Sequence, residues 1–270
     1  MGLTIHYRLK HQGDEKSARH LIGQLHQATQ DLPFKELQDI VELKGDACKF
    51  DNHDKESPLR WLLIQADQTL KLDEQTYIDV PPTRILAFET WPGEGCEAAN
   101  FGLCQYPATI EHKGKRIHTK MDGWRWSSFC KTQYASDPKC GGIENFLRCH
   151  LLVVALLDKA KELGCLDSVS DESHFWNNRD VKALVPEIES WNGMIAAFAG
   201  QLKDVVGDGV KAPITEFGNF EQLELTGQNQ LAPQTAQLAK LIQQVAEYTG
   251  PERPPLAWDF DVPVSLLSRY

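Results

Sequence analysis

Residues 143–163 are apolar on too many sides for a surface helix. Phe146, Leu147, His150, Leu151, Val154 and Leu157 recur at helical spacing as one stripe, and Cys149, Val153 and Leu156 widen it. Only Glu144, Arg148, Ala155, Lys159 and Glu162 trace a wet face. Gly141 and Gly142 punctuate the chain before this segment and Gly164 closes it. Such a helix must be wrapped by other elements, so the remaining chain has to build a body around it. A chain of 270 residues can do that, since folding at this size buries about three quarters of the extended surface. No metal or disulfide staple is needed to hold such a core.

The elements before this helix are mostly strands. Leu3, Ile5, Tyr7 and Leu9 alternate with Thr4, His6, Arg8 and Lys10, the period of a half-buried strand. Gly13 and Asp14 open a helix carrying Ala18, Leu21, Ile22, Leu25 and Ala28 as far as Pro33. Residues 35–43 return as a strand and Gly45 ends it, while 46–57 read as a polar surface loop. Residues 59–66 fit a strand or a short buried helix, which the pattern does not separate. Arg84–Trp91 and 100–106 are strands around the breaker Pro92-Gly93-Glu94-Gly95. Residues 110–120 form a hairpin turning at Gly114, and 124–134 an aromatic strand.

After the helix, 166–170 read as a short strand. Two amphipathic helices follow, 186–202 through Ile188, Trp191, Ile195, Ala199 and Leu202, and 233–248 through Leu238, Leu241, Ile242 and Val245. This order predicts an α+β fold with a mixed or mainly antiparallel sheet. A ferredoxin-like core with extra strands satisfies it, packed by the central helix and followed by a helical C-terminal third. A doubly wound parallel sheet would need more strand–helix alternation than the middle third offers. Residues 1–249 are expected to form a single α+β domain. In 250–270, Trp258, Phe260, Val262, Val264 and Leu266 alternate with polar residues and Pro263, which predicts an extended arm docked on the body.

The net charge of −10 sets an average field that repels a nucleic-acid backbone. No apolar run is long enough to span a bilayer, and the N-terminus lacks a signal peptide's build, so a cytoplasmic protein is expected. The seven cysteines include no C-x-x-C pair. Reduced thiols are therefore expected and a structural zinc is not. Neither a G-x-G-x-x-G nor a Walker sequence occurs, so no cofactor is implied.

Five groups of residues can carry chemistry. Gly93, Gly95 and Cys96, with Glu97 at the rim, make a glycine-rich turn able to meet an anion through backbone N–H groups, or a tight inter-strand turn. Cys130 adjoins Lys131, and a cation near a thiol lowers its pKa, although neighbours in a strand face opposite ways. His150 points inward from the central helix as a base, a ligand or a core residue. Glu172 and His174 share a face if the chain is extended, which suits proton transfer or metal binding; if it is turning, Asp171 or Ser173 caps the next helix. Lys113, Lys115, Arg116, Lys120 and Arg125 form a basic island in an acidic protein, with Lys115 and Arg116 at the hairpin.

Three functions follow as expectations. The first is binding of a small anionic molecule or a protein partner, through the glycine turn, Lys115 and Arg116, or a surface made by Trp124, Trp126 and Tyr134. The second is a small-molecule enzyme with a pocket between the sheet and the central helix. It would use Cys96, Glu97, Cys130, Lys131, His150 and Glu172, with His150 or Glu172 as base or a cysteine as nucleophile. The third is a metalloprotein using the scattered thiols and histidines.

Overall fold

The computed structural model describes residues 3–51, 53–54, 56–206 and 212–231. The helix expected over 233–248 and the arm expected over 250–270 lie outside these residues. The described chain forms two compact units. The first runs to Ser136 and resumes over Cys140–Leu184; the second takes Asp137–Lys139 and the described residues after Leu184.

The first unit begins with β1 (Thr4–His11) and α1 (Glu15–Gln30). Asp14 caps α1 by accepting from the Ser17 N–H at 2.8 Å. The strand expected over 35–43 is two short ones, β2 (Glu36–Leu37) and β3 (Val41–Lys44), both laid against one neighbour. Residues 59–66 resolve as the helix α2 (Arg60–Ala66). A hairpin with no clear sequence signal follows, β4 (Gln68–Lys71) and β5 (Tyr77–Val80).

Next come β6 (Arg84–Trp91), β7 (Ala99–Gln105), β8 (Thr109–His112), β9 (Lys115–His118) and β10 (Trp124–Lys131). The β8–β9 hairpin turns at Lys113 and Gly114, both with positive φ, the conformation favoured by a two-residue turn. Then follow α3 (Gly142–Glu162), β11 (Leu166–Asp171) and α4 (Phe175–Asn178).

The main sheet has the order β11-β1-β10-β7-β6-β2, with β3 also on β6, and every pairing between the described strands is antiparallel. On one face Ile5, Tyr7 and Leu9 lie opposite Cys130, Ser128 and Trp126. Tyr7 stacks on Phe101, Phe101 on Phe88, and His26 of α1 meets Phe88 edge-on, so α1 covers this face. Helix α3 packs on α1 and reaches β11. This alternation buries Trp124 and Trp126, so they form no surface for a partner. Both indoles sit on the covered side of β10.

Helix α3 is central, but the buried side is rotated from the expected stripe. Phe146, Cys149, Leu152, Val153, Val154, Leu156, Leu157 and Ala160 are buried, whereas Leu147 and Leu151 are only half-buried. With apolar groups on nearly every side, sequence alone does not select the face that meets the sheet.

The second unit contains α5 (Val181–Val206, its first residues in the first unit) and α6 (Phe220–Leu231). The two helices cross at Gly193 and Gly227, where a Cβ on Gly227 would strike the Gly193 carbonyl. No described helix is long and apolar enough to cross a membrane.

Candidate functional site

At one end of the sheet β1 begins, β10 and β11 end, and the chain enters β7. The ladder there is finished by side chains. The Glu97 N–H donates to the Lys131 carbonyl at 3.0 Å, and the Lys131 N–H donates to Glu97 Oε2 at 3.2 Å. Across the neighbouring pair, the Glu172 N–H donates to the Thr4 carbonyl at 3.2 Å, and the Thr4 N–H donates to Glu172 Oε2 at 2.9 Å. Each glutamate thus uses one carboxylate oxygen to satisfy a backbone N–H.

The Lys131 ammonium feels the charge of both carboxylates. It stands 4.6 Å from the centroid of the Tyr134 ring and 3.5 Å from the Tyr134 hydroxyl. All four side chains are half-buried. Burial raises the Glu97 carboxyl above the usual carboxylate range, against the opposing pull of Lys131. Burial also lowers the Lys131 ammonium, against the pull of Glu97 and Glu172. Tyr134 is pushed up to about 12 by burial and by the Glu97 charge.

Tyr134 reaches this position because the chain turns tightly after β10, through the 3-10 segment Gln133–Ser136. The glycine turn makes room for it. Gly95 has φ +76°, and a Cβ there would collide with the Tyr134 carbonyl.

His150 lies one residue away from this group on two sides. Its Nδ1 is 2.9 Å from Thr132 Oγ1; its Nε2 is 3.2 Å from Ser173 Oγ and 3.4 Å from Asp171 Oδ2. Asp171 Oδ1 accepts from the Ser173 hydroxyl at 2.7 Å and its N–H at 2.9 Å, while Oδ2 accepts from the Trp176 N–H at 2.8 Å. Burial pushes the Asp171 carboxyl up, but the hydrogen bond and charge of His150, with the bonds from Ser173 and Trp176, hold it at about 2. The rings of Phe146 and Phe175 flank the imidazole.

Ser, His and Asp meet here without forming a hydrolytic triad. In a triad serine and aspartate take opposite ring nitrogens, with serine free to reach a substrate. Here both lie at Nε2, Ser173 donates to Asp171, and all three residues are buried. The network instead ties α3 to the ends of β10 and β11, directly beside Lys131 and Glu172.

The fold therefore assembles Glu97, Lys131 and Glu172 from the sequence-derived set, and Tyr134 joins them. Thr132, Asp171 and Ser173 are the supporting residues that sequence reasoning left out of the site. Asp171 was legible only as a helix cap, a part it also plays toward Trp176. His174 is exposed with φ 59° and starts α4, so it is not placed on an extended face with Glu172.

Cys130 is fully buried and donates to the Glu97 carbonyl at 3.3 Å. Burial raises its thiol well above the ordinary value, with Glu97 and Cys149 adding to the effect. The adjoining Lys131 does not activate it. The Cys149 thiol is lowered, by its interaction with Cys96 and by the charge of Arg148, against the upward push of burial. Gly93, Gly95 and Cys96 precede β7, whereas Lys115 and Arg116 stand on β9 beyond the other end of β7. The β8–β9 hairpin that carries Lys115 and Arg116 is a two-stranded sheet of its own.

Among the described residues no group of three or more His, Cys, Asp or Glu side chains is placed to hold a metal ion. Comparison of the chain with protein-family models, with curated proteins and with solved structures finds no match.

Proposed function

We propose that the protein is a small-molecule enzyme whose reaction turns on proton transfer between Glu97, Lys131 and a bound polar substrate. The supporting observation is the half-buried Lys131 between two carboxylates, with the Glu97 and Lys131 pKa values driven toward each other. A carboxyl moved upward and an ammonium moved downward exchange protons more easily near neutrality than either does in water. Glu97 serves as the acid–base group, Lys131 as its proton partner and electrostatic stabiliser, and Tyr134 and Glu172 as positioning contacts. Two carboxylates against one ammonium disfavour an anionic substrate. A neutral or cationic polar molecule, such as an alcohol or an amine, suits the site better. His150, with Thr132, Asp171 and Ser173, holds the two strand ends at a fixed spacing.

A thermal-shift screen of small alcohols and amines tests this reading, run on the wild type beside Lys131→Met and Glu97→Gln. Compounds that raise the melting temperature of the wild type and of neither variant support the site. Compounds that stabilise all three equally, or none that stabilise the wild type, contradict it.

A second reading is binding of a small anion or an acidic partner protein at the β8–β9 hairpin. It is supported by the exposed Lys113, Lys115 and Arg116 at the tip. The order β11-β1-β10-β7, with α1 after β1 and α3 between β10 and β11, supports reading the middle of the sheet as a ferredoxin-like core. A cytoplasmic location is supported by seven free thiols.

A further inference from the structure

Three thiols meet where the turn before β7 touches α3. Cys96 closes that turn, its N–H donating to the Gly93 carbonyl at 3.1 Å. Gly93 itself rests on α3: a Cβ added to it would stand 3.0 Å from Cys149 Sγ and would strike the Arg148 guanidinium. Arg148 Nη2 donates to Cys149 Sγ at 3.3 Å, and Asn145 Oδ1 lies 3.6 Å from the same sulfur. Cys96 and Cys149 are close enough to act on each other's ionisation, and Cys96 also feels the charge of Cys130. Of the three, Cys130 and Cys149 are buried and Cys96 is partly exposed.

We propose that Cys96 and Cys149 are a peroxide-oxidised pair that closes reversibly to a disulfide, tying the turn before β7 to α3. The arrangement supplies what such chemistry needs. Arg148 and the Cys96 S–H both favour the Cys149 thiolate, and Cys96 stands beside it as the resolving thiol. Burial of Cys149 selects a water-sized oxidant over a bulky disulfide.

In the first step the Cys149 thiolate attacks one oxygen of hydrogen peroxide. An S–O bond forms, the O–O bond breaks, and the leaving hydroxide takes a proton to become water. Cys149, now a sulfenic acid, has lost two electrons and the peroxide has gained them. In the second step Cys96 gives up its proton and attacks the Cys149 sulfur. The S–S bond forms, the S–O bond breaks, and the departing hydroxide leaves as water with that proton. Two thiols and one peroxide thus yield one disulfide and two waters. A dithiol reductant reverses the closure by exchange.

The test treats the full-length protein with hydrogen peroxide, blocks remaining thiols, digests without reductant and maps the peptides by mass spectrometry. The expected product is a cross-linked pair containing Cys96 and Cys149, lighter by two hydrogens than the separate peptides and lost on treatment with dithiothreitol. In Cys96→Ser the sulfenic acid should persist at Cys149 and be captured by dimedone. In Arg148→Met the pair should form several-fold more slowly. Oxidation that falls mainly on another cysteine overturns the proposal. So does a disulfide with Cys130 in place of either partner, or a Cys149 that stays a free thiol throughout. None of these outcomes depends on the role proposed for Glu97 and Lys131.

Discussion

Glu97 and Lys131 hold each other twice, once through the Glu97 N–H on the Lys131 carbonyl and once through the Lys131 N–H on the Glu97 carboxylate. The second bond fixes the carboxylate at the end of β10, beside the ammonium of the same lysine. The two bonds tie the last residue of β10 to the turn that leads into β7.

The buried Asp171 makes folding acid-sensitive. Its folded pKa of about 2 lies below the ordinary aspartate value of roughly 3.9. The stabilisation is therefore fully present above the unfolded value and is lost as pH falls through the folded one. The size is about 2 kcal/mol, lost between roughly pH 5 and pH 2. Urea denaturation across that range should show Asp171→Asn losing less stability than the wild type by about that amount. Parallel losses in the two proteins would contradict the linkage.

Thr132→Val should leave His150 Nδ1 buried without its partner at nearly constant side-chain shape. Removing one side of a buried hydrogen bond costs about 1–3 kcal/mol. Chemical denaturation of the variant reads this directly, and an unchanged midpoint would mean the Thr132–His150 bond contributes nothing.

On α3 the two leucines Leu151 and Leu156 should separate. Leu156 is fully buried and Leu151 is not, so Leu156→Ala should cost about 2–5 kcal/mol and Leu151→Ala clearly less. Equal losses by urea denaturation would place the buried side of the helix elsewhere.

The sequence made the elements with strong periods legible. The alternation in β1, the length of α3 and the Gly114 turn survive in the structure, and the aromatic strand expected over 124–134 is β10, which ends at Lys131 where the chain turns into the 3-10 segment Gln133–Ser136. The α2 segment did not separate from a strand because its apolar run is short. The β4–β5 hairpin carries no turn signal of comparable strength. Within the site, Glu97 stood out at the rim of the glycine turn, Lys131 as the neighbour of Cys130 in a strand, and Glu172 just after a short strand. Their grouping was not legible, since it arises from β7, β10, β1 and β11 lying side by side, a relation of residues far apart in the chain. The same holds for His150, whose partners Thr132, Asp171 and Ser173 come from two different strand ends. The contact of Arg148 with the Cys149 sulfur was not legible, because the two are neighbours on a helix, where successive residues usually diverge.

The proton-transfer account rests on Glu97 and Lys131 having been moved toward each other, and a side-chain NMR titration measures both in the folded protein. The Glu97 carboxyl carbon should titrate above the ordinary carboxylate range and the Lys131 ammonium below the ordinary lysine range. In Lys131→Met, which removes the opposing charge, Glu97 should move higher still. If Glu97 and Lys131 instead titrate at ordinary values, and Glu97 does not respond to the loss of Lys131, the two groups are not a proton-exchanging pair and the proposed chemistry is wrong.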